Sequence, residues 1–352
     1  MSMKKKLALC ATFSPQVMEE ISKYCEITPA GFLKSGGAPV DEETLLRDCQ
    51  GFEMVALSHE KTTERCIDAW VESGMKFITC CRGTPSTVPV ARVRAHGLPL
   101  CHAPGRNAEA VAEFTFGVML GLMRSITRSS AAVANGLYLA PPMDNLLDAP
   151  YDPTACWFAP DGRTFDSIFG AGPELFGRTL GVVGYGSIGT RVARIAKGFG
   201  MRVLAYDVFT PAEKMVAEGV EPTPLEELFG QSDVVTLHLP VTPDTIGMIN
   251  KSLLDRMKPT AYLINTSRAV VVNQRDFVEA LSAGRIAGAA LDVFWTEPLP
   301  ANHPILAMDN VLVTPHMAGV SQDIDRWTGT IAAEDILHYC KGEPLCHIWR
   351  GN

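Results

Sequence analysis

The sequence lacks the cysteine spacing of a metal site or of a disulfide framework. Its ten cysteines are scattered, and none of them forms a CxxC pair or lies at a Cys/His ligand spacing. Structural zinc sites and disulfide-rich secreted domains need such spacing. We therefore expect reduced thiols, no bound metal and a cytoplasmic protein.

The chain also lacks a hydrophobic run long enough to cross a bilayer and a block of like charges. The most apolar stretch, 114–123, is short and is followed at once by Arg124. The run Leu7–Ala11 has no convincing signal cleavage site after it, so it predicts a strand. A net charge of −8, with acids and bases interspersed, leaves no footprint for nucleic acid. Neither a membrane nor a nucleic acid is an expected partner.

Length and apolar content are what the chain does have. Its 352 residues, 47% of them hydrophobic, exceed one typical domain. Alternating apolar runs and helical stretches predict a small α/β domain over 1–104. Six further runs with helices between them predict a doubly wound parallel sheet within 105–319. A helix in 320–352 returns to the first domain, so the second domain is an insertion.

One segment of the second domain breaks this alternation. Residues 135–172 are rich in Pro, Gly and Asp and carry several aromatic side chains. They predict a long loop, which either covers the active site or contacts a partner.

The segment from Arg178 to Asp207 has the pattern of a dinucleotide-binding unit. An apolar strand leads into a glycine-rich turn, and a helix follows it. Gly184 permits the tight turn, Gly186 lets a pyrophosphate approach the helix N-terminus, and Gly189 allows close packing of helix on strand. A strand before the turn, a helix after it and an acid beyond make the motif specific.

Asp207 also predicts which nicotinamide cofactor binds. Its carboxylate can accept hydrogen bonds from the adenosine ribose and would repel a 2′-phosphate. Residues 208–211 contain no arginine that could receive such a phosphate. The sequence therefore predicts NAD rather than NADP.

Three polar side chains follow three successive predicted strands, namely Arg268, Glu297 and His316. An arginine fork can orient the carboxylate of a 2-oxo acid, and a histidine can exchange a proton with its carbonyl oxygen. A glutamate bonded to the imidazole favours the charged ring and fixes its orientation. Each residue alone has ordinary structural explanations, but their shared location beside a dinucleotide motif favours catalysis by hydride transfer.

With these features, nearly the whole chain resembles the D-isomer-specific 2-hydroxyacid dehydrogenase family. The shared features are the glycine turn with Asp207, His238-Leu239-Pro240 with Thr242 and Thr245, Asn265–Arg268, Leu291–Phe294 with Glu297-Pro298-Leu299, and Pro315-His316 with Gly319. The resemblance implies hydride transfer between NAD and C2 of a D-2-hydroxy or 2-oxo acid. It also implies Arg268 as the substrate anchor, His316 as proton donor and acceptor, and Glu297 as its partner.

The resemblance has further implications for fold, assembly and cofactor binding. It implies a Rossmann nucleotide domain inserted in a smaller flavodoxin-like α/β substrate domain, and a homodimer. The cofactor-binding residues that it implies are Gly184, Gly186, Ser187, Ile188, Gly189, Asp207, Leu239, Pro240, Thr245, Thr266, Asp292 and Gly319.

The identity of the substrate is less determined. Arg82 and Gly83 lie where the family presents substrate-binding backbone amides, so both are candidate substrate-binding residues. The charged side chain of Arg82 either binds a second anionic group on the substrate or is simply solvated. The loop Thr84–Pro89, Ala269 and Asn273 depart from the family pattern, which leaves the particular 2-hydroxy acid open.

Two other functions stay open at this point. A nicotinamide-sensing corepressor of the same build would bind the cofactor without turnover. A phosphonate-type dehydrogenase would also have a cation near the place of Arg82, and supplying phosphite would test for it. A formate enzyme is disfavoured, because such enzymes pair the histidine with an amide where this chain has Glu297.

Overall fold

The computed structural model of the protein describes residues 4–137, 139, 144, 158–159 and 161–351. The chain divides into two compact units. Unit 1 consists of Met1–Ala108 and Gly319–Asn352, and unit 2 is Glu109–Ala318. These borders lie close to those predicted after residues 104 and 319. The differences concern residues 105–108 and Gly319, which were predicted in the second domain and belong to unit 1.

The described part of unit 1 begins with alternating strands and helices. In chain order they are β1 (Lys5–Leu9), α1 (Pro15–Ser22), β2 (Cys25–Pro29), α2 (Gly31–Lys34), α3 (Glu42–Cys49), β3 (Met54–Leu57), α4 (Glu64–Glu72), β4 (Phe77–Cys80), α5 (Val90–Ala95) and β5 (Leu100–His102). The strands form one parallel sheet in the order β2-β1-β3-β4-β5. This is the strand order of flavodoxin-like doubly wound folds.

Side-chain caps and apolar runs explain these elements locally. The side chains of Ser14, Asp41 and Thr63 each accept a hydrogen bond from a backbone N–H in the first turn of α1, α3 and α4. Strands β3 and β4 are buried at every position. Continuous apolar strands of this kind are typical of a parallel sheet that is covered on both faces.

The described part of unit 2 contains eight helices and seven strands. They are α6 (Ala108–Met123), α7 (Ile126–Ala134), α8 (Phe165–Phe169), β6 (Thr179–Val183), α9 (Ser187–Gly198), β7 (Arg202–Tyr206), α10 (Ala212–Ala217), β8 (Glu221–Pro222), α11 (Leu225–Gln231), β9 (Val234–Leu237), α12 (Lys251–Leu254), β10 (Tyr262–Asn265), α13 (Gln274–Ser282), β11 (Gly288–Leu291) and β12 (Val311–Val313). The sheet is parallel, in the order β12-β11-β10-β9-β6-β7-β8. The predicted doubly wound α/β fold is confirmed, with one strand more than the six expected.

The core of unit 2 lies on both faces of this sheet. Val235 and Leu263 belong to one buried apolar cluster, whereas Val234 and Ile264 belong to another. Successive residues of a strand point to opposite faces, so the two clusters cover the two sides of β9 and β10. Helix α6 contributes Phe116 and Met119 to the second cluster.

The predicted long loop over 135–172 is only partly described. Helix α8 lies within it, and Phe158 forms an isolated bridge with Thr164. Residues 138, 140–143, 145–157 and 160, with half of the aromatic side chains noted above, lie outside the described residues.

Among the described helices, no single one is long and apolar enough to cross a membrane. The pair α6 and α7, bent by 68°, meets the criteria of length and composition together. Several residues of α6 are part of the buried core of unit 2.

The C-terminal part of unit 1 is helix α14 (Ile324–Lys341) and a short extended segment. Ala332 and Ile336 of α14 are buried against residues of β1 and β4. Beyond the helix, the backbone N–H of His102 donates to the carbonyl of His347 at 3.0 Å, and that of Trp349 donates to the carbonyl of Leu100 at 2.8 Å. These bonds cover the free edge of β5, an edge that would otherwise be open to pairing with another chain.

Candidate active site

At the glycine turn between β6 and α9, backbone segments lie so close together that side chains would collide with them. Gly184 has φ 95°, and a Cβ there would lie 2.5 Å from the carbonyl oxygen of His238. A Cβ on Gly189 would lie 2.0 Å from the carbonyl oxygen of Gly184. Both positions therefore exclude any side chain.

The third glycine, Gly186, is different because it faces open space. No described atom lies within 4 Å of the place where its Cβ would be. It is also the N-cap residue of α9, and no side chain caps that helix end. Gly186 and Ser187 are exposed, with Ile188 partly buried behind them. An uncapped helix N-terminus behind an open glycine is the form of a pyrophosphate site, so these residues fit a dinucleotide.

Asp207 ties this turn to the end of β7. One carboxylate oxygen accepts the backbone N–H of Tyr185 at 2.7 Å, and the other accepts those of Phe209 and Thr210 at 2.8 Å each. Burial opposes ionisation of Asp207, but these hydrogen bonds outweigh it and lower its pKa below the ordinary value. The negative charge predicted to exclude a 2′-phosphate is thus held in place by the backbone.

The loop after β9 follows the same edge of the sheet. The hydroxyl of Thr245 donates to the carbonyl of Pro240 at 2.7 Å and accepts the N–H of Thr242 at 2.8 Å. Leu239 packs against the core and lies beside Gly184. Burial lowers the pKa of His238 to about 3, so this ring is neutral near pH 7.

Arg268 is presented by a turn that Asn265 shapes. The Asn265 side chain is fully buried; its oxygen accepts the N–H and hydroxyl of Ser267, and its amide donates to the carbonyl of Arg268 at 3.1 Å. Arg268 is exposed, and its guanidinium donates to the carbonyl of Ser267 at 2.6 Å. The charged fork therefore projects from a fixed turn at the end of β10.

Glu297 and His316 form a direct pair. Nδ1 of His316 lies 2.8 Å from Oε2 of Glu297, and Oε1 of Glu297 accepts the N–H of Phe294 at 3.0 Å. Partial burial opposes ionisation of Glu297, but the hydrogen bonds from His316 and Phe294 and the charge of Arg268 lower its pKa. The charge of Arg268 acts on Glu297, so the structure brings the three predicted residues together.

Strand register explains why residues distant in sequence meet here. Asn265 is paired with both Leu237 and Leu291, and Leu291 is paired with Val313. The strands β9 to β12 consequently end at one level. The loops that carry Arg268, Glu297 and His316 leave the sheet side by side.

Asp292 organises the loop that carries His316. It is fully buried; one carboxylate oxygen accepts the hydroxyl of Thr314 at 2.6 Å and the N–H of Met317 at 2.8 Å, and the other accepts the N–H of Ala318 at 2.8 Å. The loop needs this support because His316 has a left-handed backbone with φ 58°. Thr266, also predicted near the cofactor, has its hydroxyl 2.9 Å from that of Thr115 on α6.

The remaining predicted residues belong to unit 1. The backbone of Arg82 accepts the N–H of Ala103 at 2.9 Å, and the carbonyl of Gly83 lies 2.8 Å from Nδ1 of His102. At Gly319 a Cβ would lie 2.7 Å from the side-chain nitrogen of Asn107, which makes this glycine a packing requirement within unit 1.

Sequence reasoning missed two kinds of residue. Asn265 was noted only as the first residue of a motif and Thr314 was given no role, because their hydrogen bonds only become visible in three dimensions. Arg106 follows β5 as Arg82 follows β4. This similar position after a predicted strand could have identified Arg106 from the sequence.

Dinucleotide binding and proton transfer at one sheet edge are the two requirements of a nicotinamide-dependent oxidoreductase, and unit 2 has residues for both. The family model for the D-isomer specific 2-hydroxyacid dehydrogenase NAD binding domain matches residues 161–318. A glyoxylate reductase of Thermofilum pendens is 34% identical over 307 residues, which are 87% of this chain and 83% of that protein.

Two further comparisons agree with this class. A D-3-phosphoglycerate dehydrogenase of Archaeoglobus fulgidus is 31% identical over 307 residues, covering 87% of this chain and 53% of that protein. The NAD-complexed D-isomer specific 2-hydroxyacid dehydrogenase of Lactobacillus delbrueckii ssp. bulgaricus superposes with a TM-score of 0.74 at 25% identity, over 98% of this chain and 100% of that one. The chain belongs to the D-isomer-specific 2-hydroxyacid dehydrogenase family. It is an NAD-dependent oxidoreductase whose substrate is a small hydroxy or oxo acid.

Proposed function

We propose that Arg268, Glu297 and His316 are the catalytic residues of hydride transfer at C2 of a 2-oxo or D-2-hydroxy acid. The observation that carries this proposal is the 2.8 Å contact between Nδ1 of His316 and Oε2 of Glu297. Because Glu297 engages Nδ1, the other ring nitrogen, Nε2, is the atom that exchanges a proton with the substrate.

The three side chains have complementary tasks in the reductive direction. Arg268 binds the substrate carboxylate through its fork and so orients the C2 carbonyl. His316 donates its Nε2 proton to the carbonyl oxygen, and the hydrogen bond to the carboxylate of Glu297 orients the ring beforehand. The nicotinamide cofactor, when bound, would supply the hydride that C2 receives. In the oxidative direction Nε2 takes the proton back from the hydroxyl.

The cofactor would be held chiefly by the glycine turn. Ser187 and Ile188 at the start of α9 would lie along the pyrophosphate, and Asp207 would bind the adenosine ribose. The open space at Gly186 and the uncapped helix end support this assignment. The other members of the proposed set are Leu239, Pro240, Thr245, Thr266, Asp292 and Gly319.

A substrate panel with one variant tests the proposal. NADH oxidation is followed with glyoxylate, pyruvate, hydroxypyruvate and larger 2-oxo acids. His316→Ala should lower kcat by about 10²- to 10⁴-fold, the usual contribution of a positioned acid and base. NADH affinity should stay the same. Full turnover in this variant, or loss of NADH binding instead of kcat, would refute the assigned role.

The names of two relatives support a proposal for the substrate class. One relative is named a glyoxylate reductase and another a D-3-phosphoglycerate dehydrogenase. Both names refer to small acids with a hydroxy or oxo group at C2 or nearby. We include Arg82 and the backbone at Gly83 as substrate-binding groups of unit 1.

We also propose a cytoplasmic homodimer. The described cysteines are free thiols, which supports a reducing compartment. Helix α7 and the chain after it expose Ile126, Val133 and Leu137, with 53%, 47% and 45% of their surface accessible. Several exposed apolar side chains in one short segment support contact with a second copy of the chain.

A further inference from the structure

Three cationic or protonatable side chains follow three neighbouring strands of unit 1. His59 comes after β3, Arg82 after β4 and Arg106 after β5. Leu57 is paired with Cys80, and Cys80 with His102, so these strands end at one level. Ligands of doubly wound sheets bind outside the carboxyl ends of the strands, which is where these side chains lie.

Backbone hydrogen bonds connect the loops that carry them. The N–H of Cys81 donates to the carbonyl of Leu57 at 2.7 Å, and the N–H of Ala103 donates to the carbonyl of Arg82 at 2.9 Å. The loops after β3, β4 and β5 are therefore held together.

The three groups are close enough to act on one another electrostatically. Burial lowers the pKa of Arg106, and the positive charge of Arg82 lowers it further. Burial also lowers the pKa of His59, followed by the charges of Arg82 and Arg106. Arg82 and Arg106 therefore concentrate positive potential at one edge of the sheet, and His59, whose pKa they lower, lies within it.

Counter-charges are scarce around them. Within the described part of unit 1, neither Arg82 nor Arg106 forms an ion pair, although both are partly buried. The guanidinium of Arg106 donates one long hydrogen bond, 3.4 Å, to the hydroxyl of Thr328. An arginine has five N–H donors, so most of those on Arg106 have no protein partner.

Two carboxylates act on these side chains electrostatically without forming an ion pair with either arginine. Glu60 is buried and accepts the backbone N–H groups of Ser58 at 2.6 Å and Phe32 at 2.8 Å. Asp325 acts on Arg106 only at a distance, without an ion pair. Partly buried cations without partners are costly unless a ligand compensates them.

We propose that His59, Arg82 and Arg106 form an anion-binding site in unit 1 for a carboxylate or phosphate group of the substrate. This inference rests on the proposed function and narrows it, because the favoured substrates are 2-oxo acids with a second anionic group. Arg106 and His59 are the members that sequence reasoning did not find.

Turnover with matched substrates tests the inference. The full-length enzyme is compared on pyruvate, 2-oxoglutarate and phosphohydroxypyruvate, so that a dicarboxylate and a phosphorylated acid form separate arms. Arg106→Met should lower kcat/KM for the favoured dianion by about 10- to 100-fold, the range for a lost charge-assisted contact. The loss with pyruvate should be much smaller. Arg106→Lys should restore part of the difference, and Arg47→Met on α3 serves as a control arginine of the same unit.

Direct binding separates this inference from the proposed function. Inorganic phosphate and succinate are titrated calorimetrically into the enzyme with NAD⁺ at saturation, so that the pyrophosphate site is filled. Binding should be lost in the Arg82→Met/Arg106→Met variant, with an unchanged circular dichroism spectrum, and retained in Arg268→Met. Equal binding in the double variant and the wild type, or no preference for either dianion, would overturn the anion site. Absence of turnover with every 2-oxo acid would instead refute the proposed function.

Discussion

Asp292 is fully buried, and its two carboxylate oxygens accept three hydrogen bonds from the loop that carries His316. The family resemblance implies a place for this residue beside the nicotinamide. Its hydrogen bonds within the protein indicate at least as directly that Asp292 positions the loop of His316. The left-handed backbone of His316 would not persist in that loop without such support.

Asp292→Asn separates the two roles. An amide offers one acceptor oxygen where the loop supplies three donors, so unfolding free energy should fall by about 1–3 kcal/mol. Poorer positioning of His316 should lower kcat by about tenfold. NADH dissociation constants, measured by fluorescence, should stay within about twofold of wild type. Asp309→Asn, at an exposed acid of the same unit, is the control. A large rise in the dissociation constant with normal kcat would favour direct cofactor binding.

Glu297→Gln tests the pairing with His316. A glutamine can still accept a hydrogen bond from Nδ1, but it lacks the charge that stabilises the imidazolium. We expect kcat to fall by about 10²-fold, the lower end of what general acid–base catalysis contributes. KM should change little, because Arg268 still binds the carboxylate. Glu279→Gln removes an exposed carboxylate that pairs with Arg285 and should leave kcat unchanged. Similar kcat in both variants would contradict the role of Glu297.

At the scale of secondary-structure elements, the hydrophobic pattern of the sequence predicted the helices and strands that have pronounced apolar runs. Two of the apolar runs that predict the first domain, 54–57 and 77–80, are the strands β3 and β4, because fully buried parallel strands are uninterrupted apolar runs. Strand β8 was missed: it has two residues, both exposed, and its pairing with β7 depends on tertiary contact. Helices α2 and α5 were missed for the same reason, since helices of four and six residues carry little periodic signal.

Substitutions at two glycines of the turn are predicted to have opposite effects on stability and on NADH binding. Gly186→Val should leave the melting temperature nearly unchanged, because its φ of −80° suits any residue and the space around it is open. The new side chain would occupy the proposed pyrophosphate site, so the NADH dissociation constant should rise at least tenfold.

Gly189→Ala should give the opposite result. Its Cβ would meet the Gly184 carbonyl at 2.0 Å, and overpacking of this kind costs about 1–3 kcal/mol. Thermal unfolding and fluorescence titration of both variants check the pair. If Gly186→Val bound NADH normally, the turn would not be the pyrophosphate site.

For the whole molecule, sequence reasoning recovered the insertion of one α/β unit in another because both halves have their own apolar strands. It also predicted that Arg268, Glu297 and His316 lie at one sheet edge, since each follows a strand and the ends of parallel strands share an edge. Their catalytic role stays a prediction. It could not recover what depends on packing between distant segments. The hydrogen bonds of Asp207 to the glycine turn, and the electrostatic grouping of Arg106 with Arg82 and His59, are of this kind.

The proposed homodimer is the prediction that concerns the molecule as a whole. Ile126 and Val133 lie seven residues apart on α7 and so share one face of it, and Leu137 follows the helix; about half of each side chain is exposed. A charge placed in the middle of such a face, when it is buried in an interface, costs several kcal/mol in desolvation. Val133→Glu should therefore weaken the dimer by about 100-fold or more in dissociation constant.

Light scattering after size exclusion should report the mass of one chain for the Val133→Glu variant at micromolar concentration. Val216→Glu, at a valine on α10 that is 62% exposed, should remain dimeric. A wild-type enzyme that elutes as a monomer would refute the homodimer, and a dimeric Val133→Glu variant would move the interface to another surface.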